Sequence, residues 1–127
     1  MVRPDAFRKA CPSHALFARM ANKWSLLALV ALERGPLRFG VLRRSIDGVS
    51  QKMLSQTLRH LERDGLVIRR AFDERPVRVE YALSDAGCEL LPVVKRLKRW
   101  AETHFEEVAR ANRRDDAAAT RTTELRR

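Results

Sequence analysis

From Leu54 the apolar residues recur at Leu58 and Leu61, steps of four and three that place all of them on one side of a helix. Ser50 stands where an N-cap belongs and Gly65 where a helix stops, so the pattern predicts a helix from Ser50 to about Asp64. Upstream, Ser13 is expected to cap a short helix carrying Leu16, Phe17 and Met20. Asn22 then breaks the run and caps a second helix, Trp24 to Arg34, apolar on nearly every face and therefore central. Gly35-Pro36 ends it, and a short extended piece, Pro36 to Arg38, leads into a third helix at Gly40 to Ser45 whose inward side is Phe39, Leu42 and Ile46. Asp47-Gly48 makes the tight turn before Ser50.

Past Gly65 the period becomes two. Leu66 to Phe72 is rich in strand-forming residues, and Val77, Val79, Tyr81 and Leu83 alternate with Arg78, Glu80 and Ala82, with Asp73 to Pro76 as the hairpin loop between them. Ser84 caps a long helix whose stripe is Leu90, Leu91, Val94, Leu97 and Trp100, continuing through Phe105 and Val108, with a kink expected at Pro92. Beyond Asn112 the chain offers almost nothing to bury and is expected to be a disordered tail. The first ten residues are read as a flexible arm. The organisation is therefore an arm over 1–10, one domain over 11–111 and a tail over 112–127, mainly α with a small β-hairpin. A chain of 127 residues is long enough for one core and too short for two.

Charge changes this picture of an ordinary small domain. The formal charge is +10, and it is unevenly spread: Arg38 to Arg70 holds eight cations against three acids, whereas Ala71 to Val94 holds two against five. A polyanion is the partner such a surface implies. Membrane lipid would attract it too, but the longest nearly unbroken apolar run, Trp24 to Leu32, falls far short of the roughly 20 residues that span a bilayer. The N-terminus lacks the apolar core of a signal peptide, since Cys11, Ser13, His14 and Arg19 interrupt it, so a cytoplasmic location is expected.

Helix, tight turn, helix, then a β-hairpin is the order of a winged helix-turn-helix. Its second helix must turn an apolar side to its own core and a polar side to base edges in the major groove. With Leu54, Leu58 and Leu61 inside, Gln51, Lys52, Ser55, Gln56 and Arg59 face outward. Gln can read adenine, Arg can read guanine, and Lys52 with the helix N-terminus at Ser50 suits phosphate. Alone, such a face is what any solvated helix shows; the capping serine, the preceding helix and turn, the local basic charge and the hairpin favour a reader of double-stranded DNA. Arg38 is counted with the same surface. Arg75 in the hairpin loop, and Arg78 beside it, are candidates for phosphate or the minor groove, Arg78 being equally suited to pair with Glu80.

Cys11-Pro12, Asn22-Lys23-Trp24, Gly35-Pro36-Leu37-Arg38-Phe39, Leu42-Arg43-Arg44, Ser50-Gln51-Lys52-Met53-Leu54, Leu61-Glu62-Arg63-Asp64-Gly65-Leu66 and Arg78-Val79-Glu80-Tyr81 follow one another in an order that resembles the HxlR-type branch of the MarR-like winged-helix regulators. The likeness runs from about Cys11 to Phe105, and several motifs at matching separations are far more specific than any one. It implies a transcription regulator, repressor-like, that forms a homodimer through its N- and C-terminal helices and binds a roughly palindromic operator. On this sequence those helices are Cys11 to Met20 and Ser84 to Val108. The pairing residues would be Leu16, Met20, Leu90, Val94, Leu97, Trp100 and Phe105, which a domain this small can hardly bury by itself. The alternative is that the stripe folds back on its own core.

Some regulators of this type use a cysteine placed like Cys11 to detect a small electrophile or oxidant, by alkylation or an intersubunit disulfide. Cys11 precedes a proline at the start of a helix, where the positive helix end favours thiolate; a packing role is the alternative. Cys88 departs from the family pattern and reads as a packing residue with some chance of pairing with Cys11. Val77, where the family commonly has a proline, is a second departure, expected to leave the wing less stiff. Cys11 and His14 have the spacing of half a metal site with no second half, so neither metal nor cofactor is expected. No phosphate-binding glycine loop, nucleophile elbow or His-carboxylate cluster points to an enzyme. The rival reading is a basic winged helix used for nonspecific DNA binding or for protein interaction.

Overall fold

Asn22 caps the most apolar helix of the chain, its side chain accepting a hydrogen bond from the Trp24 backbone N–H at 2.9 Å. The computed structural model describes residues 3–126. Its elements are α1 (Pro12–Met20), α2 (Lys23–Ala31), β1 (Leu37–Arg38), α3 (Phe39–Ser45), α4 (Gln51–Arg63), β2 (Val67–Phe72), β3 (Arg78–Leu83) and α5 (Asp85–Leu125). The chain divides into two compact units, one ending at Val94 and the other beginning at Lys95.

The first unit holds the core. Ala28, Leu29 and Leu32 from α2 and its C-cap meet Leu42 and Ile46 from α3, Leu54, Leu58 and Leu61 from α4, Leu66 and Val67 at the head of β2, and Val94 from α5. Leu29, Leu42 and Leu54 are completely buried, and each such side chain contributes roughly 1.5–3 kcal/mol relative to leaving it in water. The expected fold class, mainly helical with a winged helix-turn-helix, is what the structure has. The expected hairpin is present as β2 and β3, paired antiparallel from Val67↔Leu83 to Phe72↔Arg78. The short extended piece expected at Pro36 to Arg38 joins it as a third strand, a pairing the residue pattern did not reveal: Leu37 and Arg38 pair with Tyr81 and Glu80, giving the order β1-β3-β2.

Helix α4 begins and ends as its sequence predicts. The Ser50 hydroxyl accepts from the Met53 N–H at 3.0 Å. Gly65, at φ +75, supplies the left-handed residue that stops it. Ser84 likewise caps α5, accepting from the Gly87 N–H at 3.1 Å while its hydroxyl donates to the Gly65 carbonyl. Gly87 lies so close to the Leu66 carbonyl that a Cβ there would collide with backbone. That glycine is needed for the junction between β2 and α5.

Two expectations change. Cys11, not Ser13, is the N-cap of α1, because Pro12 takes the first helical position, where its missing N–H costs nothing. The segment expected as a disordered tail continues α5 as far as Leu125. Ala117, Ala118 and Ala119 are strong helix formers, and the hydroxyls of Thr120, Thr122 and Thr123 donate to carbonyls four residues back. Pro92 lies inside α5, which runs on through it. Within the second unit no described residue is buried: Leu97 is 56%, Trp100 55% and Phe105 61% exposed.

Candidate nucleic-acid interface

At about 100° per residue, Gln51, Lys52, Ser55, Gln56 and Arg59 fan over roughly 140° of the α4 surface, with Arg59 near the middle. All of them are exposed, while Leu54, Thr57, Leu58 and Leu61 occupy the buried side. The helix therefore has one face fixed in the core and an opposite face of amides, a hydroxyl and two cations. Its first turn contains no acid, so nothing on that end offsets the partial positive charge of the free N–H groups. Met53, 36% exposed beside this face, was missed by the period argument. An apolar side chain there suits a thymine methyl.

The sequence reading also missed the basic wall beside the N-terminus of α4. An open groove of about 520 Å³ is lined by Phe39, Arg43, Arg44, Gly48 and Gln51 among others. Arg43 and Arg44 flank the buried Leu42 on α3, so packing one side of that short helix leaves both guanidiniums outside. The signal was available: two arginines following the inward leucine. Arg38, the N-cap of α3, is exposed at the end of β1.

The two wing arginines differ. Arg75 is exposed in the loop between β2 and β3. Arg78 is held by its own hairpin: its guanidinium lies 4.1 Å over the Phe72 ring, with Glu74 at 3.3 Å and Glu80 at 3.7 Å. The pairing with Glu80 expected as one of its roles is present. Val77 is 68% exposed near the wing tip.

Cys11 lies at the opposite end of α1 from Arg19. Its sulfur is 3.0 Å from the Ser13 hydroxyl, and that hydrogen bond, ahead of backbone bonds from Asp5 and Ser13, lowers the thiol pKa below its ordinary value. His14 turns away: its Nδ1 is bonded to the Ala6 carbonyl at 2.8 Å. Cys88 is exposed on α5, and both cysteines are free thiols. Among the described residues no three His, Cys, Asp or Glu side chains gather as a metal site, and no helix is long and apolar enough to cross a membrane.

A capped helix with a core side and a cationic, amide-bearing outer side, preceded by a short basic helix and followed by a β-wing, defines a helix-turn-helix transcriptional regulator. Residues 19–109 match the family model described as HxlR-like helix-turn-helix. The chain belongs to that family. It is 42% identical over 115 residues to the HTH-type transcriptional regulator YtfH of Escherichia coli K12, covering 91% of this chain and 90% of the relative. The solved structure of the transcriptional regulator ytfH from Salmonella typhimurium superposes with a TM-score of 0.81 at 36% identity, over 87% of this chain and 98% of that one. The redox regulator HypR in its oxidized form is similar at a TM-score of 0.67 and 34% identity, over 73% and 96% of the two chains.

Proposed function

We propose that this protein is a cytoplasmic, repressor-like regulator that binds a roughly palindromic operator as a homodimer, with α4 of each subunit in the major groove. The observation that carries this reading is the division of α4 into a buried leucine face and an exposed face of Gln51, Lys52, Ser55, Gln56 and Arg59. Gln56 and Arg59 read bases; Lys52, Arg38, Arg43, Arg44 and Arg75 hold phosphates. Arg78 stiffens the wing, leaving the wing contact to Arg75.

Dimerisation rests on α5, which presents Leu97, Trp100 and Phe105 more than half exposed. An apolar stripe of this kind on a helix with no core of its own is covered by a second copy. Leu16, Met20 and Leu90, partly buried, join the contact; Val94 belongs to the subunit's own core instead. Paired reading heads would engage half-sites about 34–36 Å apart, one turn of DNA.

Control falls to Cys11. Its lowered pKa makes thiolate available to a small electrophile or oxidant, and the likeness to a regulator described as a redox regulator supports the same role. The test is footprinting on the DNA flanking this protein's own gene, with and without methylglyoxal. Protection of two adjacent major grooves, lost on treatment and retained in Cys11→Ser, is expected. Uniform binding that collapses with salt and shows no protected site would instead mark a nonspecific DNA-binding protein.

A further inference from the structure

We infer that Arg19 is a positioning residue for the reading helix, and the link through which a change at Cys11 reaches it. Arg19 Nε donates to Asp64 Oδ2 at 2.8 Å and Arg19 Nη2 donates to Asp64 Oδ1 at 2.9 Å, a two-pronged pair across 45 residues of sequence. Asp64 is the C-cap of α4, and its side chain is only 11% exposed. A carboxylate at the negative end of a helix is unfavourable by itself. Here it is offset by a cation from another helix, so the end of α4 is fastened to α1 rather than merely terminated.

Within the subunit α1 has few other holds, because it contains no buried residue and only Met20 among its apolar side chains packs on the core. Cys11 caps one end of α1 and Arg19 lies in its last turn. A second groove, about 760 Å³ in volume, is walled by Cys11, Ser13 and Leu16 and by both members of the ion pair. A group attached to the Cys11 sulfur therefore occupies space adjoining the fork, and a displaced α1 withdraws Arg19 from the end of the reading helix. This transmission rests on the reading of Cys11 as a sensor given above.

The test uses full-length protein in a Cys88→Ser background, so that only Cys11 is alkylated. N-Ethylmaleimide is the probe: the Cys11 thiolate adds across its double bond, an S–C bond replaces the π bond, and the resulting enolate takes a proton from water. The DNA is a duplex selected from a random pool by the unalkylated parent, and complete modification is checked by mass. The parent should lose affinity by about 5- to 150-fold on alkylation, the usual range of coupling between two sites. Arg19→Gln should bind more weakly before treatment and then change by less than about twofold, at the same helical content by circular dichroism. Arg19→Lys, which keeps the charge and loses the fork, should fall between the two. A parent that does not release DNA overturns the sensor reading and the transmission with it. A parent that releases, alongside an Arg19→Gln variant that releases by the same factor, overturns the role of Arg19 alone.

Discussion

The stretch up to Val94 and the helix beyond it both carry a helical apolar stripe, stepping four and three through Leu54, Leu58 and Leu61 and three and five through Leu97, Trp100 and Phe105, and the structure treats them in opposite ways. Leu54, Leu58 and Leu61 are 0–2% exposed, whereas Leu97, Trp100 and Phe105 are 55–61% exposed. Spacing alone does not decide burial. In the head, α4 is surrounded by α2, α3 and β2, each offering its own apolar face, so the stripe is consumed within one chain. Past Val94 no described residue is buried, and the stripe stays exposed. The first pattern builds the scaffold behind the exposed face of α4; the second is the surface through which two subunits are proposed to pair.

Truncating each stripe should separate these roles. Leu58→Ala, at a fully packed site, is expected to destabilise the fold by about 2–5 kcal/mol, measured by urea denaturation. Trp100→Ala combined with Phe105→Ala should leave the thermal unfolding of the head nearly unchanged while weakening self-association by about 2 kcal/mol or more, roughly 30-fold, by sedimentation. If instead the double variant unfolds the head, the stripe belongs to the chain's own core and the contrast between the regions disappears. Ser50→Ala removes the cap of α4 and should cost about 1 kcal/mol of stability.

The smallest effect concerns Cys11. Because the Ser13 hydroxyl is the leading cause of the lowered Cys11 pKa, thiolate appears at lower pH than for an ordinary thiol, and the rate of Cys11 alkylation rises accordingly early in a pH series. Ser13→Ala should move that midpoint upward, towards the ordinary thiol value; an unmoved midpoint would mean that the hydroxyl has no hold on the thiolate.

What could be read from the sequence was local. The Ser50 and Asn22 caps, the stop at Gly65 and the period-two hairpin each depend on residues within a few positions, and each is in place. Contacts between distant residues were not legible. The pairing of Leu37 with Tyr81 and the Arg19–Asp64 fork join positions more than forty residues apart, where no periodicity connects them. The extent of α5 was hidden for a different reason: an apolar-poor segment signals disorder by composition, yet its run of alanines favours helix, and the threonines there turn their hydroxyls back onto the helix's own carbonyls. For the reading face, the outward set on α4 followed from its leucines, while Arg43 and Arg44 emerged only once the groove beside Gln51 was visible.

The central claim is that the outer face of α4 reads bases in two symmetry-related half-sites. The most direct measurement is binding of Arg59→Ala and Gln56→Ala to a complete set of single-base variants of the selected duplex, at fixed salt. Each substitution should relax preference at one position and its symmetry mate, by about 1–3 kcal/mol per contact, with every other position keeping its preference. Equal weakening on every duplex, with no position relaxed, would make these side chains phosphate contacts and contradict the assignment of α4 as the reader.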